Sequence, residues 1–300
     1  MTAPALSAIL QPGAPVRHRG VAVTPLFPRV DPRAAYVTLD EALAEGLLVT
    51  EVDEGGRVPE LTVANRTGRD VLLYDGEELL GAKQNRILDV TVLVPAGAVT
   101  TVPVSCVEQG RWRAVSPAFR AAPHAAHPEL RRRKATRLAA AGGGPGTAQG
   151  EVWAAVADKA ARLGAASPTG AAADLFRDRA PDVDALAARF PLQPGQSGAV
   201  LALAGRVVCL DAVSRPAAFA RLYPKLLRGY VLDALEALDD VEEEGGGADA
   251  SSVLAALDAA SPTRTPSVCR GEQLTWRAPG LLAGALVLGD EILQVSAHAE

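Results

Sequence analysis

The sequence predicts an α+β protein: an N-terminal, mostly β region of antiparallel hairpins, sandwich- or barrel-like, followed by mixed helices and antiparallel hairpins. Three observations carry this. Apolar residues in the first third alternate with a period of two, between turn signals such as Arg66-Thr67-Gly68-Arg69 and Pro95-Ala96-Gly97-Ala98. Helical periodicity is concentrated in the later segments. Strands and helices also come in separate runs rather than in strict βαβ alternation. With 48% apolar and 22% charged residues over 300 positions, the chain can bury a substantial core. The expected regions are 1–118, mostly β; 119–150, a basic segment and flexible linker; and 151–300, mixed α/β and able to pack with the first as one domain.

In order, segments 21–27 and 47–52 read as strands flanking a short helix. That helix opens on Thr38 and Glu41, a capping-box spacing, and ends at Gly46. Segments 61–65 and 70–75 read as one hairpin, and 86–94 with 99–107 as a second. Residues 124–140 are irregular, then basic and helix-prone. Residues 141–150 (AGGGPGTAQG) read as a flexible linker. A helix is expected over 151–163, and two short ones over 170–190, broken at Pro181. Segments 198–204 and 206–211 form a third hairpin. Two helices, 216–223 and 224–238, each begin with a proline suited to the first turn. Residues 239–247 (DDVEEEGGG) read as an exposed loop, 251–259 as a helix, and 282–288 with 291–296 as a last hairpin over Gly289-Asp290.

Composition excludes several classes. A formal charge of −5 disfavours a nucleic-acid-binding protein, which needs a basic footprint on phosphates. Only Lys83, Lys134, Lys159 and Lys225 of the 30 basic residues are lysines, an arginine bias that fits GC-rich coding, so arginine content alone carries no argument. Three scattered cysteines, Cys106, Cys209 and Cys269, with no CxxC pair, point to a reducing compartment, and the cytoplasm is the expected location. No apolar run approaches the ~20 residues that cross a bilayer. No metal site or cofactor is predicted.

The second hairpin is the most informative. Leu88, Val90, Val92 and Val94 share one strand face, and Val102, Val104 and Cys106 one face of the next. Folding at Gly97 sets Leu88 opposite Cys106 and Val90 opposite Val104, and carries Arg86 opposite Glu108 on the core side. An inward guanidinium and carboxylate must pair or meet a ligand, since each alone carries a desolvation penalty of several kcal/mol. Asp75, Glu77, Glu78, Lys83, Gln84, Asn85, Arg111, Trp112 and Arg113 surround them, making this the candidate site.

At these residues the chain resembles a known family. GEELLGAKQNR (76–86), VLVPA (92–96) and PVSCVEQGRW (103–112) are similar to the ARPP proteins of bacteria, whose name abbreviates ADP-ribosylglycohydrolase and rhodanese-phosphatase-superfamily associated. The likeness continues through GRVVCLDAV and LLRGYVLDAL. The resemblance implies a setting in NAD-utilising and ADP-ribose metabolism and supplies no mechanism.

Other candidates compete with plainer explanations. Cys106 could be a nucleophile activated by Arg86 or Arg111, but its valine row makes it a core thiol. Glu78 and Glu108 are the candidate general acid and base. His124, His127 and Glu129 could ligate a metal, yet the flanking prolines favour a loop. Arg131–Lys134 with Arg137 could grip a phosphate, although a solvated helix face is commoner. The expected function is therefore an accessory protein of NAD or ADP-ribose metabolism. Its partner would be a small anionic, ADP-ribose-related ligand held by Lys83, Gln84, Asn85, Arg86, Arg111 and Trp112. The alternatives are a hydrolase or transferase using a glutamate base, and a non-catalytic protein-binding protein. Neither a nucleic acid nor a membrane is an expected partner, and the oligomeric state is left open.

Overall fold

The computed structural model describes residues 4–140, 146–237 and 249–300. Part of the expected linker (141–145) and the acidic loop over 239–247 lie outside the described residues. The architecture is α+β, with sheets that are antiparallel except for one short parallel pair. The chain forms two compact units, each gathered from distant segments. One comprises Met1–Ala35, Asp184–Ser267 and Gly271–Glu300; the other comprises Tyr36–Val183 and Val268–Arg270. No helix among the described residues is long and apolar enough to cross a membrane.

The first unit is built on a nine-stranded antiparallel sheet. Its order runs Leu10–Pro12, Val21–Pro28, Gly198–Leu203, Arg206–Val213, Glu291–Ala299, Leu281–Leu288, Glu272–Ala278 and Thr263–Pro266, with Val16–His18 also on the second strand. Leu26, Val200, Leu210, Val295 and Trp276 supply its core, which the helix Ala250–Asp258 covers with Val253, Leu254 and Leu257. Asp249 caps that helix by accepting the Ser251 backbone N–H at 2.9 Å. The hairpins read from 198–211 and 282–296 are both present. The two helices read from 216–238 are instead one, Pro216–Ala237, running through Pro224. Proline removes one helical donor, but Phe219, Leu222, Tyr223, Leu226 and Leu227 are all buried, and packing carries the helix across the gap.

The second unit holds a six-stranded sheet, ordered Phe119–Ala125, Glu77–Gly81, Arg86–Leu88, Val99–Cys106, Glu60–Ala64 and Leu48–Glu51. A smaller sheet joins Val92–Val94, Val71–Leu73 and, in parallel, Val37–Thr38. The capping box at Thr38 is formed, with the Glu41 carboxylate accepting the Thr38 N–H at 2.9 Å. One core contains Leu61, Val63, Leu79, Leu88 and Val104. The other sets Ile87 and Val107 against Leu130 of the helix Pro128–Ala140 and Val152 of the helix Gln149–Leu163.

Two strand pairings differ from the sequence reading. Segments 61–65 and 70–75 are not a hairpin, because Glu60–Ala64 pairs with Val99–Cys106 while Val71–Leu73 pairs with Val92–Val94. The second hairpin pairs only over Arg86–Leu88, and two residues from the expected register: Leu88 faces Val104 and Arg86 faces Cys106. A shift of two keeps every side chain on its face, so apolar matching could not exclude it. Pro103 explains why pairing stops there. Its carbonyl accepts the Asp89 N–H at 3.1 Å, but it has no N–H to return. The Asp89 carbonyl turns instead to Lys134 Nζ at 3.0 Å, and the chain crosses to the smaller sheet.

Candidate functional site

Leu79, Arg86 and Cys106 are cross-strand neighbours on one face of the six-stranded sheet, at the end of the row that continues through Leu88 and Val104. Arg86 is 0% exposed. Its Nη1 donates to Gln84 Oε1 at 3.0 Å, while Nε and Nη2 have no hydrogen-bond partner. Arg86 forms no ion pair among the described residues. Burial lowers its pKa, opposed by the nearby Cys106 and Glu51. The expected Arg86–Glu108 pair is absent because the register shift sets Cys106, not Glu108, across from Arg86.

Glu108 is held by other groups. Arg111 Nε and Nη2 donate to its carboxylate at 2.8 and 2.6 Å, the Asn85 N–H at 3.1 Å and the Thr169 hydroxyl at 2.9 Å. Desolvation is the largest influence on its pKa and raises it. The combined hydrogen bonds outweigh that and hold the pKa below the usual carboxylate range. A carboxylate bound this way is a weak proton acceptor. Arg111 Nη1 also donates to the carbonyls of Ala82 at 2.6 Å and Arg113 at 3.0 Å, so Arg111 fastens the loop 81–85.

That loop is shaped by backbone geometry. Ala82 has φ of +39° and Gly81 of +122°, and a Cβ at Gly81 would meet Ser116 Oγ at 2.5 Å. The same hydroxyl accepts the Ala82 N–H at 2.9 Å. Gln84 Nε2 donates to the Glu108 carbonyl at 2.9 Å, and its Oε1 accepts the Cys106 thiol at 2.9 Å. Asn85 Oδ1 accepts from the Gly81 N–H and Arg111 Nη2, each at 3.2 Å. Lys83 Nζ donates to the carbonyls of Glu54 and Gly55. Trp112, 48% exposed, lies over both cations: Lys83 Nζ is 5.5 Å and the Arg86 Cζ 5.6 Å from its ring centroid.

Lys83, Gln84, Asn85, Arg86, Glu108, Arg111 and Trp112 are thus drawn together. Glu78 is not among them. It pairs across from Ile87, on the sheet face opposite Arg86, where its Oε2 lies 2.9 Å from His124 Nε2 and the His124 ring stacks on Phe176. His124 is on a strand rather than in a loop, and His127 Nδ1 accepts the Leu130 N–H at 3.4 Å. Cys106 is fully buried and burial raises its pKa, against the hydrogen bond at Glu108 and the charge of Arg86. That environment is a core thiol's.

The basic run at 131–134 departs most from expectation. Arg131 and Lys134 are 0% exposed rather than solvated. Lys134 Nζ donates to the Asp75 carboxylate, to the Leu88 carbonyl at 2.7 Å and to the Asp89 carbonyl, using its three protons. Arg131 lies over the Tyr74 ring, with Nη2 3.6 Å from Asp75 Oδ2. Ser105 donates to Asp89 Oδ1 at 2.7 Å, and burial raises the Asp89 pKa to about 6 despite Lys134 and that bond.

Four contributors escaped the sequence reading: Glu51, Ser116, Thr169 and Gln149. Gln149 clamps the Cys106 backbone as a strand would, accepting its N–H at 2.8 Å and donating to its carbonyl at 2.9 Å. The sequence places it in the expected linker, yet it is the first residue of a helix.

A family model described as ARG and Rhodanese-Phosphatase-superfamily-associated Protein domain matches residues 9–298. The chain belongs to the ARPP-1 family. Both units of this ARPP-1 chain lie largely within the match, as do all the site residues. No curated protein and no solved structure matches it.

Proposed function

We propose that this protein is a cytoplasmic accessory factor of NAD or ADP-ribose metabolism that binds a small anion of the nucleotide- or ribosyl-phosphate type at Arg86. One observation carries the reading: a fully buried guanidinium with two nitrogens lacking hydrogen bonds and no ion pair among the described residues. Desolvating a charge without compensation costs several kcal/mol, and a phosphate oxygen pair would supply both missing acceptors in the forked geometry arginine favours. Lys83 adds a second positive charge, and Trp112, seated over both cations, is the lid that swings aside to admit the ligand and then stacks on it. Gln84, Asn85 and Arg111 act one step back, holding the loop and Glu108 in place. The family description, which names an association with the ARG and rhodanese-phosphatase superfamilies, supports the accessory role.

Binding rather than acid–base chemistry follows from the carboxylates. Glu108 is saturated with donors, and Glu78 is on the other face. The test is a thermal-shift and calorimetric titration with ADP-ribose, NAD, ribose 5-phosphate and pyrophosphate. At least one should stabilise the native state in proportion to RT ln(1 + [L]/Kd), and Arg86→Met should abolish that response. Equal responses from parent and Arg86→Met, or none from the parent at millimolar ligand, would overturn the proposal.

A further inference from the structure

The edge strand Leu48–Glu51 ends beside the loop 81–85 and brings a carboxylate to it. Glu51 Oε1 accepts the Lys83 N–H at 3.1 Å. Its Oε2 is buried and has no hydrogen-bond partner among the described residues. The neighbouring Lys83 ammonium does not supply one, because it donates to the carbonyls of Glu54 and Gly55 instead. A Cβ on Gly56 would lie 3.2 Å from both Glu51 Oε2 and Lys83 Cδ, so the glycine leaves open a point that the carboxylate and the lysine stem flank. Glu51 as a whole is only half-buried, and Asp53, Glu54 and Gly55 after it are exposed. This carboxylate therefore stands at the rim of the site, not in the core.

Glu51 and Arg86 have opposite deficits. The guanidinium lacks acceptors at Nε and Nη2, the carboxylate lacks a donor at Oε2, and the two form no ion pair with each other. They are near enough to interact: burial lowers the Arg86 pKa, and the Glu51 charge is one of the influences opposing that. Buried polar groups in native proteins are paired in the large majority of cases. Complementary groups held apart, each short of what the other has, suit a ligand that spans them, with an anionic acceptor at one end and a donor at the other. That donor is uncharged, because an ammonium group placed against Glu51 would also stand beside Lys83. A phosphate ester carrying free hydroxyl groups meets both requirements.

We infer that Glu51 determines specificity at the Arg86 site: its Oε2 accepts a ligand hydroxyl, so the site takes a sugar phosphate in preference to a phosphate without hydroxyl groups. This rests on the reading of Arg86 as the anion anchor and narrows its substrate class.

The test titrates ribose 5-phosphate and methyl phosphate into the full chain and into Glu51→Gln by calorimetry. Glutamine keeps an oxygen for the Lys83 N–H and replaces the free acceptor with a donor. The parent should bind ribose 5-phosphate at least about tenfold more tightly than methyl phosphate, the worth of one hydrogen bond to a charged group. In Glu51→Gln that ratio should fall below about threefold, while methyl phosphate binds at least as tightly as before because a nearby negative charge is gone. A merely weakened fold would lower both affinities together and leave the ratio intact. Equal affinities in the parent, a ratio that survives the substitution, or loss of both probes in Glu51→Gln would overturn the inference and leave the anion reading standing. Binding of neither probe to the parent at about 10 mM would overturn both.

Discussion

Lys134 and Arg86 are both fully buried cations in the same unit, near the same short strand, yet they differ in one respect. Every proton of Lys134 has an acceptor: the Asp75 carboxylate and the carbonyls of Leu88 and Asp89. Arg86 donates to Gln84 and lies beside the Cys106 thiol, while its Nε and Nη2 have no hydrogen-bond acceptor in good geometry. The first arrangement closes a strand end whose pairing is interrupted by Pro103. The second leaves a buried charge that Trp112, Glu51 and Cys106 offset in part and that lacks acceptors at two nitrogens. Burial alone therefore does not distinguish the two cations; the count of satisfied donors does.

Removing the saturated cation should have the largest effect. Lys134→Met leaves Asp75 and two carbonyls buried without their donor, and is expected to lower unfolding free energy by about 3–5 kcal/mol. Denaturant titration measures it. A loss below about 1 kcal/mol would make Lys134 an ornament of the fold and remove the contrast with Arg86.

The next effect is pH-dependent. Asp89, in the Lys134 network, has its pKa raised to about 6 by burial, from an ordinary value of 3.8. Its raised pKa favours the folded state below pH 4, and that contribution is lost as pH rises through about 6, an effect of about 3 kcal/mol. Glu108, beside Arg86, has the opposite sign. Its depressed pKa contributes stability above the unfolded carboxylate range that is lost as pH falls through the folded value. Comparing the parent with Asp89→Asn across pH 4–7 isolates the first effect: the parent should lose stability relative to the variant as pH rises. A flat difference would mean that Asp89 is ionised throughout.

Trp112→Ala sharpens the comparison at the Arg86 end. Half-exposed, with two cations against its ring, Trp112 should contribute only about 1 kcal/mol to stability. Its removal should nonetheless raise the association rate of any ligand that reaches Arg86, read by stopped-flow mixing. An unchanged association rate would show that the ligand enters elsewhere.

What the sequence made legible was local or periodic. The Thr38–Glu41 capping box spans three residues, and the common face of Arg86, Leu88 and Cys106 follows from strand alternation in every register that differs by an even number of residues. Where the pairing stops depended on Pro103, whose missing donor acts through hydrogen bonds rather than hydrophobic pattern. The burial of Arg131 and Lys134 was hidden because a basic helical run looks solvated until its acceptors are known. Asp75 lies 59 residues before Lys134 and Leu88 lies 46 before it. Thr169 reaches Glu108 from 61 residues away, with no motif to announce it. The Arg86 cluster was visible as a density of polar residues. Which of them is unsatisfied was not visible, since that depends on where every neighbouring carbonyl points.

The most direct test of the central claim is the unfolding free energy of Arg86→Met, measured with and without saturating ADP-ribose. Methionine keeps the length and removes a charge without an ionic partner among the described residues. The variant without ligand should therefore be at least as stable as the parent, and the ligand should stabilise the parent alone. A loss of about 3 kcal/mol or more in the ligand-free variant, with the ligand response retained, would show that Arg86 is structural, as Lys134 is.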